Sequence, residues 1–316
     1  MIHIRIVVPA EMSAAVVSQL EAIDVVTALI HVPAASRRPL GDLVSCDVPR
    51  EAASVVIAVL RELGVVEHGS LSIHPIEATV SKDAALAKER APGHGRDAVV
   101  WESLEATTSS SAELSTSFLV YMIIATVLSA LSIITDSVIL LIGAMVVGPE
   151  FGPLAGTCVG VAQRRFDLAS RSLLALVVGF PVAVFVTLLA TLAMRAGGIG
   201  PALLSASEHP ATLFISRPDG ASVIVAALAG VAGMLSLSTA NSSALVGVFI
   251  SVTTIPAAAN LAVGIAYQNG EARGSALQLA LNLAVILVVG VLTLLVQRAA
   301  FMRRLVRRRG LSRLRS

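Results

Sequence analysis

The sequence predicts an α+β head of ferredoxin-like order, βαββαβ, followed by an all-α membrane domain of six helices. The six helices are expected as a 3+3 inverted repeat with the second and fifth interrupted. Three observations carry this. Hydrophobic residues make up 55% of the 316 and charged residues only 14%, well below the charged fraction of a soluble domain. Apolar residues crowd between Phe118 and Val296, whereas the stretch before them is an ordinary mixture. Two three-span segments with the same order of elements also recur 104 residues apart.

The head is expected over residues 1–80. "IHIRIVV" at 2–8 alternates as a half-buried strand does, and Met12, Val16, Leu20 and Ile23 follow at helical spacing. "VVTALIHV" and "DLVSCDV" read as the second and third strands. Pro49 opens the next helix at a position where its missing N–H costs nothing, and Gly64 closes it. "SLSIHPI" is the last strand. Strand alternation places His3, His31 and His74 at one end of the sheet, on the face away from the helices. That makes them a candidate metal or pH-sensing group, set against the plainer reading of three polar residues on a solvated face.

Residues 81–116 read as a linker and an interfacial amphipathic helix. This stretch holds both lysines, Lys82 and Lys88, and the single tryptophan, Trp101. The membrane domain follows over 117–297, with spans at 117–135, 137–161, 170–194, 220–238, 243–267 and 275–297. Eight arginines lie in the tail, 298–316, and Arg164, Arg165 and Arg171 lie between spans two and three. Basic loops stay on the cytoplasmic side, so both termini are expected there, in a bacterial plasma membrane. The lipid bilayer is then the partner of the basic tail, not nucleic acid.

The repeat is legible at particular residues. A shift of 104 sets Ser132 on Ser236, Thr135 on Thr239 and Gly143 on Gly247. A one-residue adjustment then sets Pro153 on Pro256 and Ser172 on Ser275. Units with an odd number of spans enter the bilayer from opposite sides, the arrangement of many secondary transporters. Such carriers place their sites where paired helices break near the midplane.

The expected breaks are "VVGPEFGPLAG", with Pro149 and Pro153, and "ISVTTIPAAAN", with Pro256. Glu150 is the one acidic residue well inside a span, and a carboxylate there marks an ion or proton site or a capped helix end. Ser251, Thr253, Thr254 and Asn260 are the candidate lining groups opposite it, unless their hydroxyls bond back to their own helix. Asp136 and Asn241 occupy corresponding turns and suit helix N-caps.

Cys46 and Cys158 fall in different parts of the chain and suggest neither a disulfide nor a zinc site. No GxxxxGK[ST], HExxH, GxSxG or CxxC occurs, which argues against an ATP-driven pump or a familiar hydrolase. No cofactor and no metal is expected, and no enzyme activity.

"LLIGAMVVGPEFGPLAG", "ALAGVAGMLSL" and "ALVGVFISVTTIPAAANLAVG", behind the head and "VVWESLEATTSSSAELS", resemble the bacterial and archaeal integral-membrane family known as domain of unknown function 389. The resemblance implies a polytopic plasma-membrane protein and assigns no activity. From the residues themselves the first expectation is a secondary transporter, with a channel or a membrane-anchored sensor as alternatives. The head would regulate it or hold together a homo-oligomer.

Overall fold

The computed structural model describes residues 1–91, 101, 104, 108–109, 112–201, 220–238 and 244–312. The chain divides into an N-terminal unit, Met1–Leu104, and a helical unit built on the rest.

The N-terminal unit follows the order β1 (Ile2–Val8), α1 (Ala10–Glu21), β2 (Thr27–Arg37), β3 (Leu40–Val48), α2 (Arg50–Glu62), a short α3 (Val65–His68), β4 (Ser70–Pro75) and α4 (Lys82–Arg90). Its four strands form one antiparallel sheet in the order β2-β3-β1-β4. Alternation in β1 does what the sequence predicts: Ile2, Ile4, Ile6 and Val8 are buried and join Val16, Leu20, Val56 and Leu60 in one core. Gly64 takes a left-handed φ of 76° at the end of α2.

The three histidines do not gather. His3 and His74 face each other across β1 and β4 on the open face. His31 lies opposite Val44, a core residue, and so belongs to the helix-covered face. His31 is also level with Ile6, away from the His3 end of the sheet, and its face is set by a register shift between Thr27 and Ile30, with Ala28 at a positive φ of 49°. One extra residue reverses the face of every later side chain in a strand.

The helical unit contains α5 (Thr116–Ile134), α6 (Val138–Val147), α7 (Phe151–Gln163), α8 (Phe166–Ala196), α9 (Gly220–Ser238), α10 (Ala244–Tyr267) and α11 (Ala272–Ser312). Among the described residues α5, α8, α9 and α11 each carry a stretch long and apolar enough to cross a membrane. α6 and α7 together make a fifth candidate, bent by 49° at a short break, and α10 contains a shorter apolar stretch, Thr254–Tyr267. Large apolar side chains such as Ile139, Val177, Leu228 and Val296 point outward, while Thr126, Ser132, Thr187 and Asn282 are buried. An apolar exterior around polar interior groups suits a lipid solvent. α11 runs on through the basic tail to Ser312.

Only the first of the two expected breaks is present. Pro149 has no N–H and pushes the residue before it out of the helical region. Gly148 yields, at φ −60° and ψ 124°, and α6 ends there. Pro153 then falls in the first turn of α7, where its missing N–H costs nothing. Pro256 instead lies inside a continuous α10. No glycine precedes it, and the lost hydrogen bond alone does not end the helix.

The expected cap at Asp136 is also displaced by one residue. Asp136 takes a left-handed turn conformation, φ 47°, and Ser137 caps α6 by accepting from Leu140 N. Asn241 and the linker residues 92–100 lie outside the described residues. In the expected interfacial helix, Trp101, Leu104, Thr108 and Ser109 are helical.

Candidate functional site

The break between α6 and α7 presents the Glu150 carboxylate to α10. Glu150 stands at the N-terminus of α7 and is completely buried. It makes no side-chain cap to the N–H groups of α7. Instead its Oε1 accepts a 2.9 Å hydrogen bond from Thr254 Oγ1 on α10. Its Oε2 and Ser251 Oγ are both buried and lie beside one another. They share the space in front of Gly148: a Cβ there would lie 2.6 Å from Oε2, 3.0 Å from Ser251 Oγ and 3.1 Å from Ile255 Cγ1. Gly148 is thus part of the site, and its missing side chain makes room for it.

Helix geometry explains which candidates meet. Ser251 and Thr254 are three residues apart on α10 and share a face. Asn260 is six residues past Thr254, about 240° further round the helix. Its amide donates to Ser275 Oγ at 2.9 Å and to Glu271 Oε2 at 3.2 Å, tying α10 to the start of α11. Asn260 is a packing residue and no part of the Glu150 site. The Thr253 side chain lies outside the described residues, and Pro149 and Pro153 shape the break without donating to it.

Most other buried hydroxyls in the helical unit bond back to their own helix. Thr157 donates to Pro153 O, Ser172 to Leu168 O and Thr191 to Thr187 O, at 2.7–2.8 Å. Thr254 differs in reaching across to a carboxylate.

Several contacts occur twice, at separations of 103 or 104 residues in the chain. Gly160 packs on Ala169, where a Cβ would come within 2.6 Å of Ala169 N; Gly264 packs on Ala272 in the same way, at 2.8 Å. Gly156 abuts Ser172, and Asn260, 104 residues later, bonds Ser275, 103 residues after Ser172. Thr187 donates to Thr126 at 2.9 Å, and the corresponding Gly230 and Gly290 bring α9 and α11 together. Arg164 and Gln268 both end their helices in left-handed conformations, φ 61° and 54°. The separation is 104 as far as Arg164 and Gln268, and 103 from Ala169 and Ala272 onward. The change from 104 to 103 falls between Gln268 and Ala272, and at a separation of 104 Pro153 is set on Ala257 and not on Pro256.

In the head, His3 Nδ1 lies 2.7 Å from Asp47 Oδ1, and His31 Nε2 lies 2.9 Å from Asp42 Oδ2. Asp42 Oδ1 also accepts from Ala34 N at 2.9 Å. These hydrogen bonds, the backbone one foremost, hold Asp42 at about 2. Burial pushes the Cys46 thiol up to about 12. Among the described residues no three His, Cys, Asp or Glu side chains gather as a metal site.

Membrane-length helices with an apolar exterior and a buried polar seam define a multi-pass membrane protein. Residues 145–288 match the model of a family described as domain of unknown function (DUF389). That segment starts just ahead of Gly148 and includes Glu150, Ser251 and Thr254. An uncharacterized protein of Methanocaldococcus jannaschii is 30% identical over 171 residues, which is 54% of this chain and 51% of that protein. The chain thus spans about half the length of this curated relative. No solved structure matches.

Proposed function

We propose that the protein is a secondary transporter of a small solute or ion, with its site at the break of span two against span five. The observation that carries this reading is the fully buried Glu150 carboxylate, held by Thr254 from the other half of the helical unit. An acidic group at membrane depth is costly unless it serves an ion or substrate path.

The two halves are read as an inverted repeat. Contacts made twice at separations of 103 and 104 support it. So does the site itself, because Glu150 and Thr254 are 104 residues apart. Counterpart positions touch where two halves meet on a two-fold axis. The strand order of the head supports a ferredoxin-like module, which in this reading regulates transport or holds together a homo-oligomer. The arginines of the turn at 164–171 and of the tail support cytoplasmic termini and a bacterial plasma membrane. The reading includes no enzymatic step.

The test is reconstitution of the full chain in proteoliposomes holding a pH-sensitive dye, with inorganic ions and small organic acids offered outside. The expected result is saturable, gradient-dependent flux without unitary steps in planar bilayers. Unitary steps would make the protein a channel. Ligand binding with no flux would make it a sensor.

A further inference from the structure

Two arginines repeat one contact at opposite ends of the helical unit. Arg195, in the last turn of α8, donates from Nη1 to the main-chain oxygen of Ala266 at 2.8 Å. Arg298, in α11, donates from Nη1 to the main-chain oxygen of Ala162 at 2.6 Å. Ala162 and Ala266 are 104 residues apart and Arg195 and Arg298 are 103 apart, the separations found in the other doubled contacts.

Each acceptor lies in the last turn of its helix, where carbonyls lack intrahelical partners and the helix dipole favours a cation. Each donor belongs to the other half of the unit. Ala162 is in the helix that starts at Glu150, and Ala266 is in the helix that carries Ser251 and Thr254. The contacts lie far apart: α7 joins the start of α8 by a short turn, and Arg195 is at the other end of that 31-residue helix, about 40 Å away.

We propose that these arginines are two clasps gating the Glu150 site, one at each membrane face, which must release in turn for a solute to pass. The proposal rests on the transporter reading of that site and adds how access to it is controlled. Both clasps are closed here and Glu150 is fully buried, the occluded arrangement expected between two openings. A single charge-assisted hydrogen bond suits a gate, because losing it shifts an equilibrium by about tenfold or somewhat more.

The clasps are also unequal. The Arg195 guanidinium lies over the Tyr267 ring, 5.1 Å from its centroid. The corresponding position beside Ala162 is Gln163, which has no aromatic face. The Arg298 clasp is therefore the one that releases first.

The experiment uses the full chain in sealed vesicles of both orientations, with Ser251→Cys as reporter and a membrane-impermeant maleimide as probe. Both native cysteines are fully buried and stay silent. Arg195→Gln should raise reporter labelling about tenfold from one face, and Arg298→Gln similarly from the opposite face. Arg195→Lys and Arg298→Lys keep a charged donor and should give smaller rises on the same faces, which separates gating from misfolding. Tyr267→Leu should bring the two faces closer to equal labelling. Unchanged labelling in every variant, or rises confined to one face, would overturn the clasps. If Glu150→Gln abolishes flux while labelling is unchanged, the clasps fail and the transporter reading stands. Face-specific labelling with no flux of any probe keeps the clasps and overturns transport.

Discussion

Thr254→Val tests the contact that joins the two halves at the site. Valine keeps the β-branched shape but removes the hydroxyl that donates to Glu150 Oε1 at 2.9 Å. Glu150 is fully buried, so the substitution takes a protein partner from a group held away from solvent. Leaving a buried acceptor without its donor costs about 1–3 kcal/mol. In a unit of this size that corresponds to a fall of roughly 3–10 °C in Tm. Glu150→Leu alone leaves Thr254 facing an apolar group, but Glu150→Leu with Thr254→Val removes both partners. The double variant should regain about 1 kcal/mol or more relative to the sum of the single variants. The assay is thermal unfolding of the detergent-solubilised full chain in a Cys46→Ser background, followed by a dye that reacts with Cys158 as it becomes exposed. Additivity within about 0.5 kcal/mol would refute the coupling and the placement of Glu150 against α10.

Other outcomes follow from the same geometry. Gly160→Ala and Gly264→Ala each push a Cβ against backbone that cannot yield. Each should cost about 1–3 kcal/mol and to a similar degree; a large cost at one position only would contradict the doubled packing. Asp42 is held at about 2 against an ordinary 3.8. Its contribution is therefore present above the ordinary value and lost as pH falls from about 4 toward 2. Hydrogen exchange in β2 and β3 of the full chain should rise over that window, and Asp42→Asn should flatten the rise. Cys46, with its thiol at about 12, and the buried Cys158 should both resist maleimide in the folded protein at neutral pH.

Much of this was legible in the sequence where local periodicity decides. The alternation of Ile2, Ile4 and Ile6 and the helical spacing of Val16 and Leu20 mark buried faces without any tertiary information. Gly148-Pro149 was legible as a break because proline and the freedom of glycine act on the backbone locally. Glu150 stood out because its surroundings are apolar.

What failed depended on phase or on neighbours. The shift at Ala28 turned His31 to the other face, and nothing in its composition announces a bulge. Pro256, matched to Pro153 in the sequence, looked like a second break, yet the helix runs through it. Asn260 sat in the same motif as Thr254, but six residues of helix turned it toward α11. Arg298 was read only as one of the tail arginines, and Arg195 carried no reading from the sequence. The signal that exposes them is their separation of 103 residues, matched to the alanines they bind.

The most direct test of the account is flux through Glu150→Gln beside the unaltered protein, in proteoliposomes carrying equal amounts of folded protein. The account predicts gradient-dependent flux in the unaltered protein and its loss, by tenfold or more, in the variant. Equal flux in both would contradict the assignment of Glu150 to the transport path.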